Sequence, residues 1–115
     1  MGFNAIEMLE IIETMEGYMS RNRPPEHMRS KLDIGYRIEK QNVFVFEIRP
    51  NVVDLKIFDQ YDFAKTTFIR RQKIWKVYWM RASLSWNQYK SNKTIKSLSD
   101  FVAVIEIDEH GCFNG

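Results

Sequence analysis

Residues 64–81 read AKTTFIRRQKIWKVYWMR, and this stretch decides the fold class. Two runs rich in β-branched and aromatic residues, over 64–71 and 74–81, are separated by only two residues. Such residues favour strands, and a link this short leaves room only for a tight turn. The stretch therefore predicts an antiparallel hairpin, and a third run over 84–89 predicts a further strand.

Residues 63–99, which we call the basic block, carry an uneven share of the charge. They contain nine lysines and arginines and no acidic residue, whereas the residues before and after them are rich in acids, so the formal net charge of the whole chain is only +2. Seven aromatic residues, including all three tryptophans, are interleaved with these bases. Segregated charge of this kind bears on the binding partners and the solubility of a protein, and it does not indicate the fold.

Upstream of the basic block, the sequence predicts a helix. Asn4 and Glu7 form a capping-box pattern, and apolar residues recur at helical spacing over 5–19. The proline pair at 24–25 ends this helix, because the residue before a proline is pushed out of helical geometry. A short helical turn over 26–30 is expected to follow, since proline is accepted at the first helical position.

Period-two alternation then predicts two strands, over 32–39 and 43–49, joined by a turn at 40–42. We expect this hairpin to have one buried face. Residues 52–57 alternate well enough to predict a further short strand. The apolar residues that share a face are Leu32, Ile34, Tyr36 and Ile38 in the first strand of the hairpin, and Phe44, Phe46 and Ile48 in the second.

The carboxyl-terminal part of the chain favours a second helix. Apolar residues recur at helical spacing over 98–105, Ser97 and Asp100 form a capping pair, and Gly111 is the predicted stop. The chain of 115 residues is expected to form a single domain with its own core. The predicted fold class is α+β, with an antiparallel sheet of about five strands and an N-terminal and a C-terminal helix packed on one face.

Strand alternation divides the central strand of the basic block into two faces. If the helices cover the face that carries Trp75 and Trp79, then Lys76 and Tyr78 point to solvent. A basic open sheet face with aromatic rings suits single-stranded nucleic acid or another polyanion, because cations attract phosphates and rings stack on bases. The stacking surface would come from Tyr78, Tyr89 or one of the tryptophans. The residues predicted to form this binding site are Arg70, Arg71, Lys73, Lys76, Tyr78, Arg81, Tyr89 and Lys90.

Two other interpretations of the basic block stay open. Long basic side chains can simply cover and solubilise an ordinary sheet face, and the acidic N-terminal helix can neutralise them within the same molecule. Alternatively, the basic face meets an acidic protein surface, such as the N-terminal helix of a second copy in a homodimer. The broad apolar stripe of that helix would be covered by helix pairing between the two copies.

The tail of the chain holds the candidates for chemistry. A small enzyme using His110 and Cys112 as base and nucleophile is the weakest hypothesis, because no orienting group is identified. A zinc site normally takes four ligands in two clusters, and the chain has one cysteine and two histidines, so we predict no metal and no cofactor. The single cysteine fits a reducing compartment, and no apolar run approaches the length of a membrane span. We therefore expect a cytoplasmic protein with no membrane partner.

Short segments spread over nearly the whole chain resemble a known family. They are RPPE at 23–26, LDIGYR at 32–37, FEIRP at 46–50, WKVYWMRA at 75–82, LSW at 84–86, Tyr89 and HGCF at 110–113. The family is a small bacterial one that is known only as a domain of unknown function, number 3024. The resemblance implies a stand-alone cytosolic protein and no particular activity. The chain departs from the family pattern at Asn87, where a histidine is expected, and at Asn114, where an aromatic residue is expected.

Overall fold

The computed structural model describes residues 2–113. This part of the chain contains two α-helices, one short 3₁₀ helix and six strands. The helices are α1 (Ala5–Asn22) and α2 (Leu98–Ile107), and the 3₁₀ helix is Glu26–Met28. The strands are β1 (Asp33–Glu39), β2 (Asn42–Pro50), β3 (Phe58–Ile69), β4 (Ile74–Met80), β5 (Trp86–Gln88) and β6 (Thr94–Ile95).

The six strands of residues 2–113 form one antiparallel sheet, which confirms the predicted α+β class. Strands β1 to β5 lie side by side in chain order, as in a meander. Strand β6 pairs with β4 beside β5, opposite Trp75 and Lys76. The sequence did not predict β6, because two residues are too few to produce an alternation pattern.

Helix α1 begins where the capping pattern predicts. The amide N–H of Glu7 donates to Asn4 Oδ1 at 2.8 Å, and the amide N–H of Asn4 donates to Glu7 Oε1 at 2.9 Å. The helix ends at Asn22, because Arg23 takes an extended conformation before Pro24. The 3₁₀ helix then follows the proline pair, as predicted.

Helix α2 begins as predicted but ends earlier. Its N-cap is Ser97, whose hydroxyl accepts a hydrogen bond from the amide of Asp100 at 3.3 Å. The residue after the helix, Asp108, has a φ of 45°, and this left-handed conformation closes the helix. The prediction that Gly111 stops the helix is therefore wrong. Within residues 2–113, no helix is long and apolar enough to cross a membrane.

Both helices pack on the same face of the sheet, as predicted. Met15 of α1 and Phe101 of α2 are completely buried, and so are the three valines of the sheet beneath them, Val43, Val45 and Val77. The burial of this apolar surface is the main favourable contribution to folding. The other buried members of the core are Ile11, Tyr18, Ala64, Trp75, Tyr89, Ile95, Leu98, Val102, Ile105 and Phe113.

The expectation that the β1–β2 hairpin has one buried face is wrong for β2. Its valines point to the helices, so Phe44 and Phe46 point to the opposite face of the sheet. Phe46 is nevertheless only 6% exposed, because its ring lies against Gly35 of β1. A Cβ atom at position 35 would come within 2.7 Å of Phe46 Cε1, so glycine is what allows this contact.

The short strand predicted over 52–57 is a loop. The side-chain oxygen of Asn51 accepts hydrogen bonds from the amides of Val53 at 2.8 Å and Asp54 at 3.1 Å. Successive amides of an extended strand point in opposite directions, so this turn excludes a strand ladder. At the tip of the loop, Val52 and Val53 are 94% and 92% exposed.

The basic block contains the second half of β3, all of β4, β5 and β6, and the start of α2. The boundaries of β3, β4 and β5 differ from the prediction. The turn between β3 and β4 spans residues 70–73, and Lys73 has a φ of 55° there. Strand β5 is shorter than predicted, because Leu84 takes a φ of 62° in the turn before it. In that turn the amide of Arg81 donates to the carbonyl of Ser85 at 3.0 Å.

Candidate nucleic-acid interface

One face of the sheet is free of helices in the part of the chain that the structure describes, and we call it the open face. The strand register places one side chain from each of β1, β2, β3 and β4 in a single row, in the order Arg37, Phe44, Lys65 and Tyr78. Trp86 of β5 pairs with Met80 of β4 next to this row. The residues that define the open face are Arg37, Phe44, Phe46, Lys65, Lys76, Tyr78, Met80 and Trp86.

Two cations of the open face lie over aromatic rings. Lys65 Nζ is 4.7 Å from the ring centroid of Tyr78, 4.9 Å from that of Trp86 and 5.9 Å from that of Phe44. Arg37 Cζ is 4.2 Å from the ring centroid of Phe44. Cations in these positions are attracted by the negative faces of the rings. The centre of the open face is therefore a cluster of three rings that already holds positive charge.

The cations differ in how their charge is compensated. The guanidinium of Arg37 donates to both carboxylate oxygens of Asp62, at 2.6 and 2.8 Å, and to Glu39 at 2.6 Å. None of the ion pairs formed among residues 2–113 includes Lys65 or Lys76. Partial burial of the ammonium lowers the pKa of Lys65. Lys65 and Lys76 thus supply the uncompensated charge of the open face.

The structure brings two of the predicted binding residues onto this face. Lys76 and Tyr78 point away from the helices, which cover the other side of β4. Trp75 is 7% exposed within the core, and Trp79 packs against the core on the same side. Of the three tryptophans, Trp86 is the one that lies on the open face.

Three other predicted binding residues lie in the turn between β3 and β4. Arg70 donates to the two carboxylate oxygens of Glu7, at 2.9 and 3.0 Å, and to the carbonyl of Gly2 at 3.2 Å. The hydrogen bonds from Arg70 lower the pKa of the Glu7 carboxyl. Lys73 lines a pocket on the helix side of the sheet, and Arg71 is exposed in the turn. Arg70 and Lys73 are therefore not brought together with the rings of the open face.

The last three predicted residues lie near β5. Tyr89 is 3% exposed, and its ring centroid is 5.1 Å from that of Phe113. Burial raises the pKa of Tyr89. Its ring belongs to the core, so it offers no stacking surface to a base. Arg81 and Lys90 are exposed in the segments that follow β4 and β5.

Sequence reasoning missed Arg37, Phe44 and Lys65 as members of the open face. Alternation within β1 placed Arg37 on the polar side of that strand, but the sequence analysis assigned Phe44 to the buried face of β2, whereas Val43 and Val45 are the residues that face the helices. What the sequence lacked was the register between strands, which puts both residues beside Lys65 and Tyr78. The ring cluster exists only through that register.

The tail does not assemble the arrangement that the enzyme hypothesis requires. His110 Nε2 is 2.7 Å from Ser91 Oγ, and its ring lies 6.2 Å from that of Tyr89. Burial raises the pKa of the Cys112 thiol, whereas a nucleophilic cysteine needs a lowered one. Among residues 2–113, no group of three or more His, Cys, Asp or Glu side chains is arranged to hold a metal ion.

Fold and open face together define an α+β domain whose sheet is covered by helices on one side and carries rings and lysines on the other. Residues 3–115 match a family described as a domain of unknown function (DUF3024), and the chain belongs to this family, as the resemblance indicated. No curated protein and no solved structure matches the chain. Of the two departures from the family pattern, Asn87 lies in β5 and donates to the carbonyl of Ser85 at 3.0 Å, and Asn114 lies outside the described residues.

Proposed function

We propose that this protein is a small binding module that holds single-stranded nucleic acid, or a polyanion of similar form, on its open face. Tyr78 and Trp86 would stack on bases, and Lys65 and Lys76 would contact phosphates. The proposed setting is the cytoplasm of a bacterium, in keeping with the family that the chain resembles. No catalytic step belongs to this proposal.

The observation that carries the proposal is the alternation of rings and uncompensated ammonium groups on a sheet face without helices. Single-stranded nucleic acids are held in this way elsewhere, by basic grooves that follow the backbone and by rings on which successive bases stack. Lys65 and Lys76 have no acidic partner among residues 2–113, so their charge is free to act on a ligand. The acidic helix α1 lies on the other side of the sheet and does not reach them.

The ammonium of Lys65 can exchange its contacts with aromatic rings for a contact with a phosphate of the ligand. Without a ligand its ammonium lies over Tyr78 and Trp86. When a strand binds, the ammonium would move to a phosphate and free the two ring faces for a base. A cation–π contact contributes about 0.5–1 kcal/mol at an exposed site and about 2 kcal/mol when desolvated, and stacking one base on a ring contributes about 1–3 kcal/mol. Because Lys65 gives up contacts with two rings, the bound strand is favoured by the new phosphate contact together with a base stacked on each ring.

The direct test is fluorescence anisotropy of labelled oligo(dT) and oligo(U), about twelve nucleotides long, titrated with protein at several salt concentrations. With two phosphate contacts, the slope of log K against log salt should be about −1.4. Duplex DNA of the same length should bind more weakly, because its bases are stacked within the helix. Failure of both single strands to bind at low salt would reject the proposal.

Substitutions on the open face give the sharper result. Tyr78→Ala and Trp86→Ala should each weaken binding by about 1–3 kcal/mol, or roughly 5- to 150-fold. The matched control is Tyr61→Ala, since Tyr61 is 50% exposed on the same sheet but outside the open face. Lys76→Met should make the dependence of log K on log salt less steep, because one phosphate contact is lost. Lys31→Met removes an exposed lysine outside the open face and should leave this dependence unchanged. Equal effects of Tyr61→Ala and Tyr78→Ala would show that binding is not at the open face.

A second candidate function is protein assembly, which exposed apolar side chains outside the open face favour. On α1, Ile6 and Leu9 are 71% and 68% exposed, and Val52 and Val53 project from the loop between β2 and β3. Contiguous apolar patches larger than a few hundred Å² are uncommon on monomeric proteins and often mark an interface. A homodimer would cover the α1 patch by pairing the helices of two copies.

Light scattering coupled to size-exclusion chromatography tests the homodimer. A dimer at micromolar concentration should dissociate in Leu9→Glu, which places a charge in the helix patch. Val53→Asp serves as the control at the other apolar patch and should leave that dimer intact. A monomeric wild-type protein across the concentration range would exclude this second function.

A further inference from the structure

A pocket of about 420 Å³ lies between α1, the start of α2 and the end of β3. Its lining includes Phe3, Thr14 and Leu98, so it opens on the helix side of the sheet and is separate from the open face. Its volume falls within the range of small-molecule sites, roughly 300–1,000 Å³. Neither proposed function uses this pocket.

One wall of the pocket consists of aromatic rings. The ring centroids of Phe3 and Trp75 are 5.7 Å apart with an interplanar angle of 28°, and those of Phe68 and Trp75 are 5.0 Å apart. Phe3 and Phe68 are partly exposed, while Trp75 lies behind them and is 7% exposed. The Phe68 ring is tilted by 48° to that of Trp75 and by 39° to that of Phe3, so the three rings form a rigid apolar wall and not a single plane. A wall of rings favours a ligand with an aromatic body that can lie against one of them.

The other side of the pocket carries charge. Arg70 and Glu7 are joined at 2.9 Å and compensate one another. Lys73, Lys96 and Glu10 also line the pocket, and none of them belongs to an ion pair formed among residues 2–113. Two lysines against one glutamate leave one net positive charge. The charge therefore favours a ligand with a single negative group over a polyanion, which Glu10 would repel.

We propose that this pocket binds a small monoanion with a flat aromatic body, of the class of aromatic carboxylates. The aromatic body lies against Phe3 and Phe68, and the carboxylate lies between Lys73 and Lys96. The site accounts for two features that the open face leaves unused: the basic turn between β3 and β4, and the partly exposed rings beside it.

The experiment compares 2-naphthoate with the neutral 2-naphthamide, which has the same ring system. Both are titrated into the whole protein by calorimetry, and binding is located by ¹⁵N chemical-shift mapping. We expect 2-naphthoate to shift the amides of Leu98 and Ser99 and the indole N–H of Trp75. The neutral 2-naphthamide should bind the protein about five- to tenfold more weakly than 2-naphthoate, because it lacks the negative charge that the lysines attract.

Variants separate the charge from the apolar wall. The double substitution Lys73→Met/Lys96→Met should weaken 2-naphthoate to the affinity of 2-naphthamide and leave 2-naphthamide unchanged. The matched control is Lys31→Met/Lys56→Met, which removes two exposed lysines that do not line the pocket. Thr14→Phe, which fills the pocket, should abolish binding of both compounds.

Three results would overturn the proposal. They are the absence of shifts around the pocket at millimolar 2-naphthoate, an affinity for 2-naphthoate that is unchanged in Lys73→Met/Lys96→Met, and shifts confined to the open face. Circular dichroism checks that each variant is folded, and the lysine variants, at exposed positions, keep the test valid if Thr14→Phe does not fold. Binding of oligonucleotides is measured separately, so its failure would leave this proposal standing.

Discussion

Gly35→Ala should destabilise the protein through a contact with a single ring. A Cβ atom at position 35 would lie 2.7 Å from Phe46 Cε1 and 2.8 Å from Phe46 Cζ. Carbon atoms in ordinary contact are about 3.5–4.0 Å apart, so the ring must move by roughly 0.8 Å or more. Phe46 is 6% exposed and lies beneath the guanidinium of Arg37, which leaves its ring little room.

The expected cost follows from two opposing effects. Overpacking a buried contact costs about 1–3 kcal/mol. Replacing glycine with alanine also reduces the conformational entropy of the unfolded chain, which stabilises the protein by about 0.4–1 kcal/mol. We therefore expect Gly35→Ala to lower the free energy of unfolding by about 1–2 kcal/mol, measured by urea denaturation.

A double-mutant cycle isolates the contact. Leucine at position 46 lacks the two ring atoms that clash, so in a Phe46→Leu background Gly35→Ala should cost nothing or stabilise by a few tenths of a kcal/mol. Gly17→Ala is the control in α1, where the new Cβ meets only the flexible end of Arg21 at 3.3 Å. That substitution should stabilise the helix by about 0.5–1 kcal/mol. An equal cost of Gly35→Ala in both backgrounds would refute the argument.

Three further predictions concern stability. Hydrogen bonds from Arg23 at 3.0 and 2.8 Å hold the pKa of Asp33 below its ordinary value of 3.8, so the stability that they contribute is present above that pH and is lost on acidification. Asp33→Asn should make the acid limb of a stability–pH curve shallower, and an unchanged limb would contradict this. Burial raises the pKa of Tyr18 from 10.0 to about 12, so its contribution is complete below pH 10.0 and is lost as the pH rises towards 12. Tyr18→Phe should reduce the alkaline loss of stability, followed by circular dichroism. Thr66 is completely buried and its hydroxyl donates to the carbonyl of Lys76 at 2.8 Å, so Thr66→Val should cost about 0.5–1.5 kcal/mol in urea denaturation, and no cost would mean that this hydrogen bond contributes nothing net.

Local signals predicted the helices and most strands, because each rests on residues close together in the chain. The capping pair Asn4 and Glu7 determines the start of α1, and Pro24 determines its end. The loop over 52–57 was mistaken for a strand, since its apolar residues alternate by chance. The turn at Asn51, which excludes a strand there, depends on hydrogen bonds that a pattern of apolar residues does not reveal.

The candidate site was predicted in part. Lys76 and Tyr78 follow from alternation within β4 once the helices are known to cover the other side. Tyr89 could not be assigned in this way, because its burial depends on Phe113, 24 residues further along the chain. The sequence left open whether the acidic N-terminal helix neutralises part of the basic block, and the pairing of Arg70 with Glu7, a contact across 63 positions, does so for Arg70.

By itself, the sequence determined the fold class, the two helix starts and the presence of a basic, aromatic segment, because these depend on local propensity and on periodicity. Only the tertiary structure decided which rings face solvent and which cations remain uncompensated. Both outcomes depend on strand register and on contacts between distant residues. The pairing of Phe44 with Lys65 and of Lys65 with Tyr78 makes the open face, and no local pattern in the chain contains that pairing.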